Sequence, residues 1–311
     1  MPIEPSKQRP SLSVVVATRD RAPALRRCLD TLAAQDFRAL NAELVLVDNA
    51  STDATPRALA EELARRRLPL KVVEEPQPGL SRARNTGIQH ASGRFIIFLD
   101  DDALASPRWL AAYERLFRQG HPVVQGRIRV QMEGARPGYL ADDLLAYLTH
   151  LDQDGPEGRY EGNLLGANFG AMRGVYEQLG PFRRDLGAGA SGFGEDTEFS
   201  QRVTAAGIPV TYCPDALVLH RIPPERATRR ALLRRCYLSG QSQPLFRKYP
   251  DESLPRTLSY FARRSVAHLG RALFARRSAQ RIRELCQWAE HAGRARQILK
   301  MQRQAKKAGR S

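Results

Sequence analysis

The chain has 311 residues, enough to bury a full core, and its length fits one larger domain with an appendage better than two equal domains. No apolar run approaches ~18 residues, which excludes a membrane-spanning helix. The 49 Lys plus Arg outnumber the 33 Asp plus Glu, yet residues 221–311 alone hold 23 basic and 5 acidic residues, so the basicity is a C-terminal property.

Residues 1–10 are polar and proline-rich, which argues against a secretory signal and for a disordered lead. Three short β-branched runs follow, at Ser13–Ala17, Glu43–Asp48 and Leu70–Val73. Between the first two, Leu25, Cys28, Leu29 and Leu32 take the i, i+3, i+4, i+7 spacing of one helix face. A second helix starts near Thr55-Pro56, with proline in its first turn, and carries Leu59, Leu63 and the Arg65–Arg67 cluster. Strand and helix in alternation predict an α/β domain with a mainly parallel sheet flanked by helices. Ligands of such sheets bind beyond the carboxyl ends of the strands. Those ends are the polar loops Thr18–Arg21 and Asp48–Asp53, and the end of a fourth strand, Phe95–Leu99.

That fourth strand stops in Asp100, Asp101 and Asp102. Three adjacent carboxylates repel one another unless a positive charge sits among them, so a divalent cation explains them better than a solvated turn does. Hard oxygen ligands suit Mg²⁺ or Mn²⁺, whose shells are completed by substrate phosphates. Alternation along a strand turns Asp101 away from its two neighbours. Further on, Glu195-Asp196 opens an amphipathic stretch with Phe199 and Val203 on its buried face, behind a loop containing Gly187, Gly189, Gly192 and Gly194 that is free to close over a substrate. His220 follows the apolar run Ala216–Leu219. The four cysteines, Cys28, Cys213, Cys236 and Cys286, lack zinc-ligand spacing and read as free thiols of a reducing cytoplasm.

Six segments in order carry a resemblance: Val14–Arg21, Leu46–Asp53, Gly79–Gly87, Phe98–Asp102, Gly166–Arg173 and Gly194–Phe199. Together they resemble the successive motifs of the family 2 glycosyltransferases. The resemblance implies the GT-A nucleotide-diphospho-sugar transferase fold over residues 11–225; the charge distribution makes residues 226–311 a basic helical extension. It implies transfer of a sugar from a nucleotide-diphosphate donor to an acceptor hydroxyl, with inversion at the anomeric carbon. Residue by residue, it assigns Thr18, Arg19 and Asp48 to the nucleotide, and Arg82 and Arg84 to the diphosphate. Asp102 becomes a metal ligand, Asp100 a ribose or metal ligand, and His220 a third metal ligand. Asn168 is placed under the donor sugar. Asp196 is assigned as catalytic base, with Glu195 second in line.

In the extension, Leu258, Phe261, Val266, Leu269 and Leu273 are expected on one helical face, with Arg263, Arg264 and Arg271 toward the other. A basic amphipathic helix fits an anionic membrane surface, consistent with a glycan or lipid-linked acceptor and a cytoplasmic, peripheral location. Packing on the catalytic domain with solvated arginines is the other reading. Nucleic acid is disfavoured because no nucleic-acid motif accompanies the charge. A nucleotidyltransferase would need a glycine-rich loop where Thr18–Arg21 stands. A silent nucleotide-sugar-binding or scaffold protein would not need Glu195-Asp196. Lys306–Ser311 reads as a frayed tail.

Overall fold

The structure, a computed structural model, describes residues 10–153, 155–247 and 253–308. Residues 1–9 of the expected lead and residues 309–311 of the expected tail lie outside the described residues. The first part of the chain runs β1 (Leu12–Thr18), α1 (Ala22–Ala33), β2 (Ala42–Asp48), α2 (Thr55–Arg65), β3 (Leu70–Glu74), α3 (Leu80–His90), β4 (Phe95–Leu99) and β5 (Ala103–Ala105). It continues through α4 (Trp109–Arg118), β6 (Val123–Met132), a 3-10 helix (Asp142–Leu148), β7 (Gly158–Arg159), β8 (Asn168–Met172), α5 (Arg173–Leu179), α6 (Glu195–Ala205) and β9 (Val210–Ile222). Three long helices follow, α7 (Arg229–Phe246), α8 (Leu254–Phe274) and α9 (Ser278–Ala308).

The chain forms two compact units. The first takes the residues through Arg129 together with Leu151–Arg184 and Phe199–His220; the second takes Val130–His150, Asp185–Glu198 and the residues from Arg221 onward. The second unit therefore draws two stretches from within residues 11–225.

In the first unit β3, β2, β1 and β4 pair in parallel, each joined to the next in sequence by a helix, as the alternating pattern predicts. β8 then pairs antiparallel with β4, and the sheet order is β3-β2-β1-β4-β8-β6-β9-β5, with β7 on β9. The parallel strands are apolar at nearly every position because both faces are covered. Val14, Val16, Leu44, Leu46, Ile97 and Leu99 pack with Leu25, Cys28, Leu29 and Leu32 of α1. Their neighbours Val15, Val45, Val47, Ile96 and Phe98 pack on the other face with Ala83 of α3 and with Phe199 and Val203 of α6. This double burial fixes the strand register and sets the three polar strand ends side by side.

The second unit is helical. Leu144, Leu145 and Leu148 of the 3-10 helix share a core with Leu232 and Cys236 of α7 and with Ile282, Cys286 and Ala289 of α9. The α8 and α9 helices form a hairpin in which Leu254 and Phe261 meet Ile298. The face α8 buries differs from the one expected of it. Leu254, Phe261, Ser265, His268 and Ala272 point inward at heptad spacing, whereas Val266 (70 % exposed), Leu273 (73 %) and Phe274 (87 %) point outward. Packing against α9 selects a stripe with a period near 3.5, and Val266 and Leu273 fall off that stripe whatever their hydrophobicity. All four cysteines are free and buried.

Candidate active site

The three strand-end loops are tied to one another by hydrogen bonds. Asp20 Oδ1 accepts from the Thr52 N–H at 2.7 Å and the Asp53 N–H at 3.3 Å, and Thr55 Oγ1 accepts from the Arg21 N–H at 3.0 Å. Asn49 fastens the next loop, its amide donating to the Glu75 and Gln77 carbonyls at 3.1 and 2.8 Å and its oxygen accepting from the Gly79 N–H at 2.7 Å. Asp48 is buried at the end of β2, with Oδ1 accepting from the Ser51 N–H at 3.1 Å. Arg19 is exposed beside Asp20.

At the end of β4 the acids are sorted by their partners. Asp100 Oδ1 accepts from Arg84 Nη2 at 3.2 Å. Arg84 is itself buried, its guanidinium 5.7 Å from the Phe98 ring centroid and 5.8 Å from that of Phe182. Gly166 makes room for it, since a β carbon there would fall 2.2 Å from Nη2. Arg84, expected to face a diphosphate, thus holds the carboxylate of Asp100. Asp101 turns inward: Thr18 Oγ1 donates to its Oδ2 at 2.7 Å, and burial pushes its pKa up to about 7 although Arg21 pulls the other way. Thr18 is itself buried.

Asp102 Oδ1 lies 3.1 Å from Nε2 of His220, which β9 delivers opposite Ala103. Asp100, Asp102 and His220 each offer a ligand atom, and these atoms all lie within 4.8 Å of one another. Among the described residues no other group of three or more His, Cys, Asp or Glu side chains converges in this way. Two carboxylates and an imidazole are a fitting donor set for a divalent metal. The residue missed in the sequence is Arg21, whose Nη1 lies 2.5 Å from Asp102 Oδ2 and 3.3 Å from Asp101 Oδ1. Burial works against its charge, but Asp101 and Asp102 outweigh burial and raise its pKa. The signal was a cation at the end of a loop facing three acids.

Arg82 is half-buried near Glu75. The Glu75 carboxyl is held below the usual range despite its burial, by hydrogen bonds from Thr86 and Gln77 and by the charges of Arg82 and Arg184. Asn168 is fully buried. Its oxygen accepts from Trp109 Nε1 at 2.8 Å and the Tyr113 hydroxyl at 3.0 Å, and its nitrogen donates to the Arg127 and Ala216 carbonyls at 2.9 and 2.7 Å. Both lone pairs and both N–H groups are in use, so the amide has no position left for a sugar as it stands.

Glu195 and Asp196 open α6 in the second unit. Gly194 precedes them at φ +97°, a conformation that an L side chain rarely adopts, and a β carbon there would strike Phe246 at 2.7 Å. Glu195 is buried and Asp196 partly so, with Asp196 Oδ1 accepting from the Thr197 N–H at 2.7 Å. The loop before them is fastened to α7 by the Ser242 hydroxyl, which donates to the Ser191 carbonyl at 3.2 Å, and by Arg235 stacked 4.6 Å from the Phe193 centroid.

The profile described as Glycosyl transferase family 2 matches residues 13–180, more than half of the chain. This chain is a family 2 glycosyltransferase. It is 30 % identical to the succinoglycan biosynthesis protein ExoM of Rhizobium meliloti over 71 % of each chain. It is 25 % identical to the glycosyltransferase AglE of Haloferax volcanii over 95 % of this chain and 98 % of that one. Among solved structures, the mannosyltransferase PcManGT of Pyrobaculum calidifontis, in complex with GDP-Man and Mn²⁺, superposes with a TM-score of 0.64 at 22 % identity, over 96 % of this chain and 90 % of that one. TarS 1–349 of S. aureus, in complex with UDP-GlcNAc, gives 0.52 at 16 % identity, over 92 % of each chain. The fold is therefore GT-A, with C-terminal helices added, and the protein is a nucleotide-sugar glycosyltransferase. No helix among the described residues is long and apolar enough to cross a membrane.

Proposed function

We propose that this glycosyltransferase carries out a base-catalysed inverting transfer onto a glycan or lipid-linked hydroxyl, in the assembly of a polysaccharide, glycolipid or other glycoconjugate. The observation that carries the reading is the convergence of Asp100, Asp102 and His220 at the open ends of the parallel strands. These three side chains would hold a divalent cation, which would supply Lewis-acid neutralisation of the charge on the departing diphosphate. The imidazole in the donor set, and the Mn²⁺ bound by PcManGT, favour Mn²⁺ over Mg²⁺.

The chain's own residues do the rest. Asp48 and the Thr18-Arg19 loop receive the nucleotide, and Arg82 faces the diphosphate with a fork of donors matched to two oxygens. Arg84 fixes the orientation of Asp100. Asp196 takes the proton of the acceptor hydroxyl as its oxygen bonds to the anomeric carbon, and the old bond breaks with its electron pair leaving on the nucleoside diphosphate. The glycine-containing loop before Asp196, held to α7 by Ser242 and Arg235, forms the wall against which the acceptor is retained. The basic C-terminal helices place the enzyme on the cytoplasmic face of an anionic membrane.

Calorimetric titration with GDP and with UDP, with and without Mn²⁺, tests the metal reading. Asp102→Asn is expected to abolish the Mn²⁺-dependent component, and unchanged metal-dependent affinity would remove Asp102 from the site. Asp196→Asn is expected to keep donor binding while turnover falls by about 10² or more, the scale of general base catalysis. Turnover at the wild-type level would move the role to Glu195.

A further inference from the structure

The second unit carries a basic recess that the proposed reaction does not use. Arg296, Leu299, Lys300 and Arg303 lie at the i, i+3, i+4 and i+7 positions of one face of α9. With Gln297 of the same helix and Gln241 of α7 they line a cavity of about 530 Å³. That volume falls within the roughly 300–1,000 Å³ of small-ligand sites. Two guanidiniums, an ammonium and two amides make a wall rich in donors, and no carboxylate is part of it.

Elsewhere on α9, Arg283 is tied to Asp143 at 2.5 Å and Arg294 to Glu290, while Arg281 donates to the Ala275 carbonyl at 2.9 Å. Arg296, Lys300 and Arg303 have no carboxylate partner among the described residues. Gln297 adds an independent sign. It is 9 % exposed, lines the cavity, and has no hydrogen-bond partner among the described residues. Its amide opens onto the recess, so its N–H groups are available to donate to an acceptor oxygen of a ligand.

We propose that this recess binds a phosphate or diphosphate group. A multiply charged oxyanion matches three cations where a single carboxylate would leave two unmatched, and guanidinium forks pair with its oxygens two at a time. Such a group reaches the recess either as the headgroup of a lipid or on a soluble molecule; the chemistry at the wall is the same.

Titration of the full chain with inorganic pyrophosphate in EDTA, where no divalent cation bridges it to the acids of the first unit, tests the proposal. The double variant Lys300→Gln/Arg303→Gln is expected to bind about tenfold more weakly or worse, the size of a lost charge-assisted contact. Gln297→Leu, which changes no charge, is expected to weaken binding severalfold. The charge-matched control Arg276→Gln/Arg277→Gln is expected to bind like wild type, with matching thermal melts showing that all variants are folded. The proposal is overturned if the double variant or Gln297→Leu binds like wild type, or if the control loses as much as the double variant. Vesicles of phosphatidic acid in phosphatidylcholine separate the two sources. Displacement of the wild-type protein from them by pyrophosphate, absent in the double variant, assigns a lipid headgroup. Vesicle binding equal in both, with pyrophosphate binding lost only in the variant, assigns a soluble ligand.

Discussion

Asp101 and Asp102 share one guanidinium, that of Arg21, and His220 closes on the far oxygen of Asp102. Without a metal, Arg21 is the counter-charge that lets two neighbouring carboxylates remain side by side. Removing one partner of a fully buried pair costs ~3–5 kcal/mol, and because the Arg21 side chain is 44 % exposed, solvent screening reduces that figure to about 1–2 kcal/mol. Arg21→Gln is therefore expected to lower the melting temperature in EDTA and to recover most of the loss in Mn²⁺. An unchanged melt in EDTA would show that water already supplies what Arg21 was thought to supply. At this scale Asp100, Asp102 and His220 were legible because each stands directly at the end of, or in, an apolar run. Arg84 and Asn168 were less so. The partners of Asn168 lie 41 to 59 residues away in sequence, and no local pattern distinguishes an amide saturated by distant groups from one offered to a ligand.

The parallel strands and their helices were legible for a related reason: strands covered on both faces read as unbroken apolar runs, and α1 shows its buried face in its spacing alone. For α8 spacing was not enough, because two apolar stripes compete on that helix and only the position of α9 decides between them. The stripe that won contains His268, whose ring stacks on His291 at 5.2 Å, while Phe261 stacks on His291 at 5.7 Å. Burial first, and then the charges of Arg294, His268 and Arg264, lower the His291 pKa to about 4. Since the folded value is depressed below the unfolded one of ~6.5, the unfolded chain binds the proton first as pH falls. Stability is then fully present above about pH 6.5 and declines toward pH 4, at up to about 1.4 kcal/mol per pH unit. Denaturant unfolding from pH 7.5 to 4.5 is expected to show this slope, and His291→Gln to flatten it. A slope identical in the variant would assign the acid sensitivity to other groups.

Between Leu254 and Arg283 the chain has eight arginines and no acid, and the outward arc of α8 sets Val266, Leu273 and Phe274 among them. The membrane reading therefore has two components, and they are separable. Replacing Arg263, Arg264 and Arg271 by Gln is expected to weaken binding to acidic vesicles by about 1 kcal/mol per residue near the surface, an effect that raised salt imitates. Arg271 contributes least because Glu284 already holds it at 3.1 Å. Replacing Leu273 and Phe274 by Ser is expected to remove the part of the binding that salt leaves untouched. Sedimentation with vesicles reads both; a wild-type protein that stays in the supernatant ends the membrane reading, and turnover on a soluble acceptor is expected to survive in every variant.

The second unit is assembled from residues 130–150, residues 185–198 and the C-terminal helices, and Leu144, Leu145 and Leu148 share a core with Cys236, Ile282 and Cys286. Recombination that joins this chain to a relative at a single point near residue 225 would pair helices from one parent with packing surfaces from the other. A working chimaera has to exchange three separate stretches together, so the segments before and after the cut are bound to be inherited as one set.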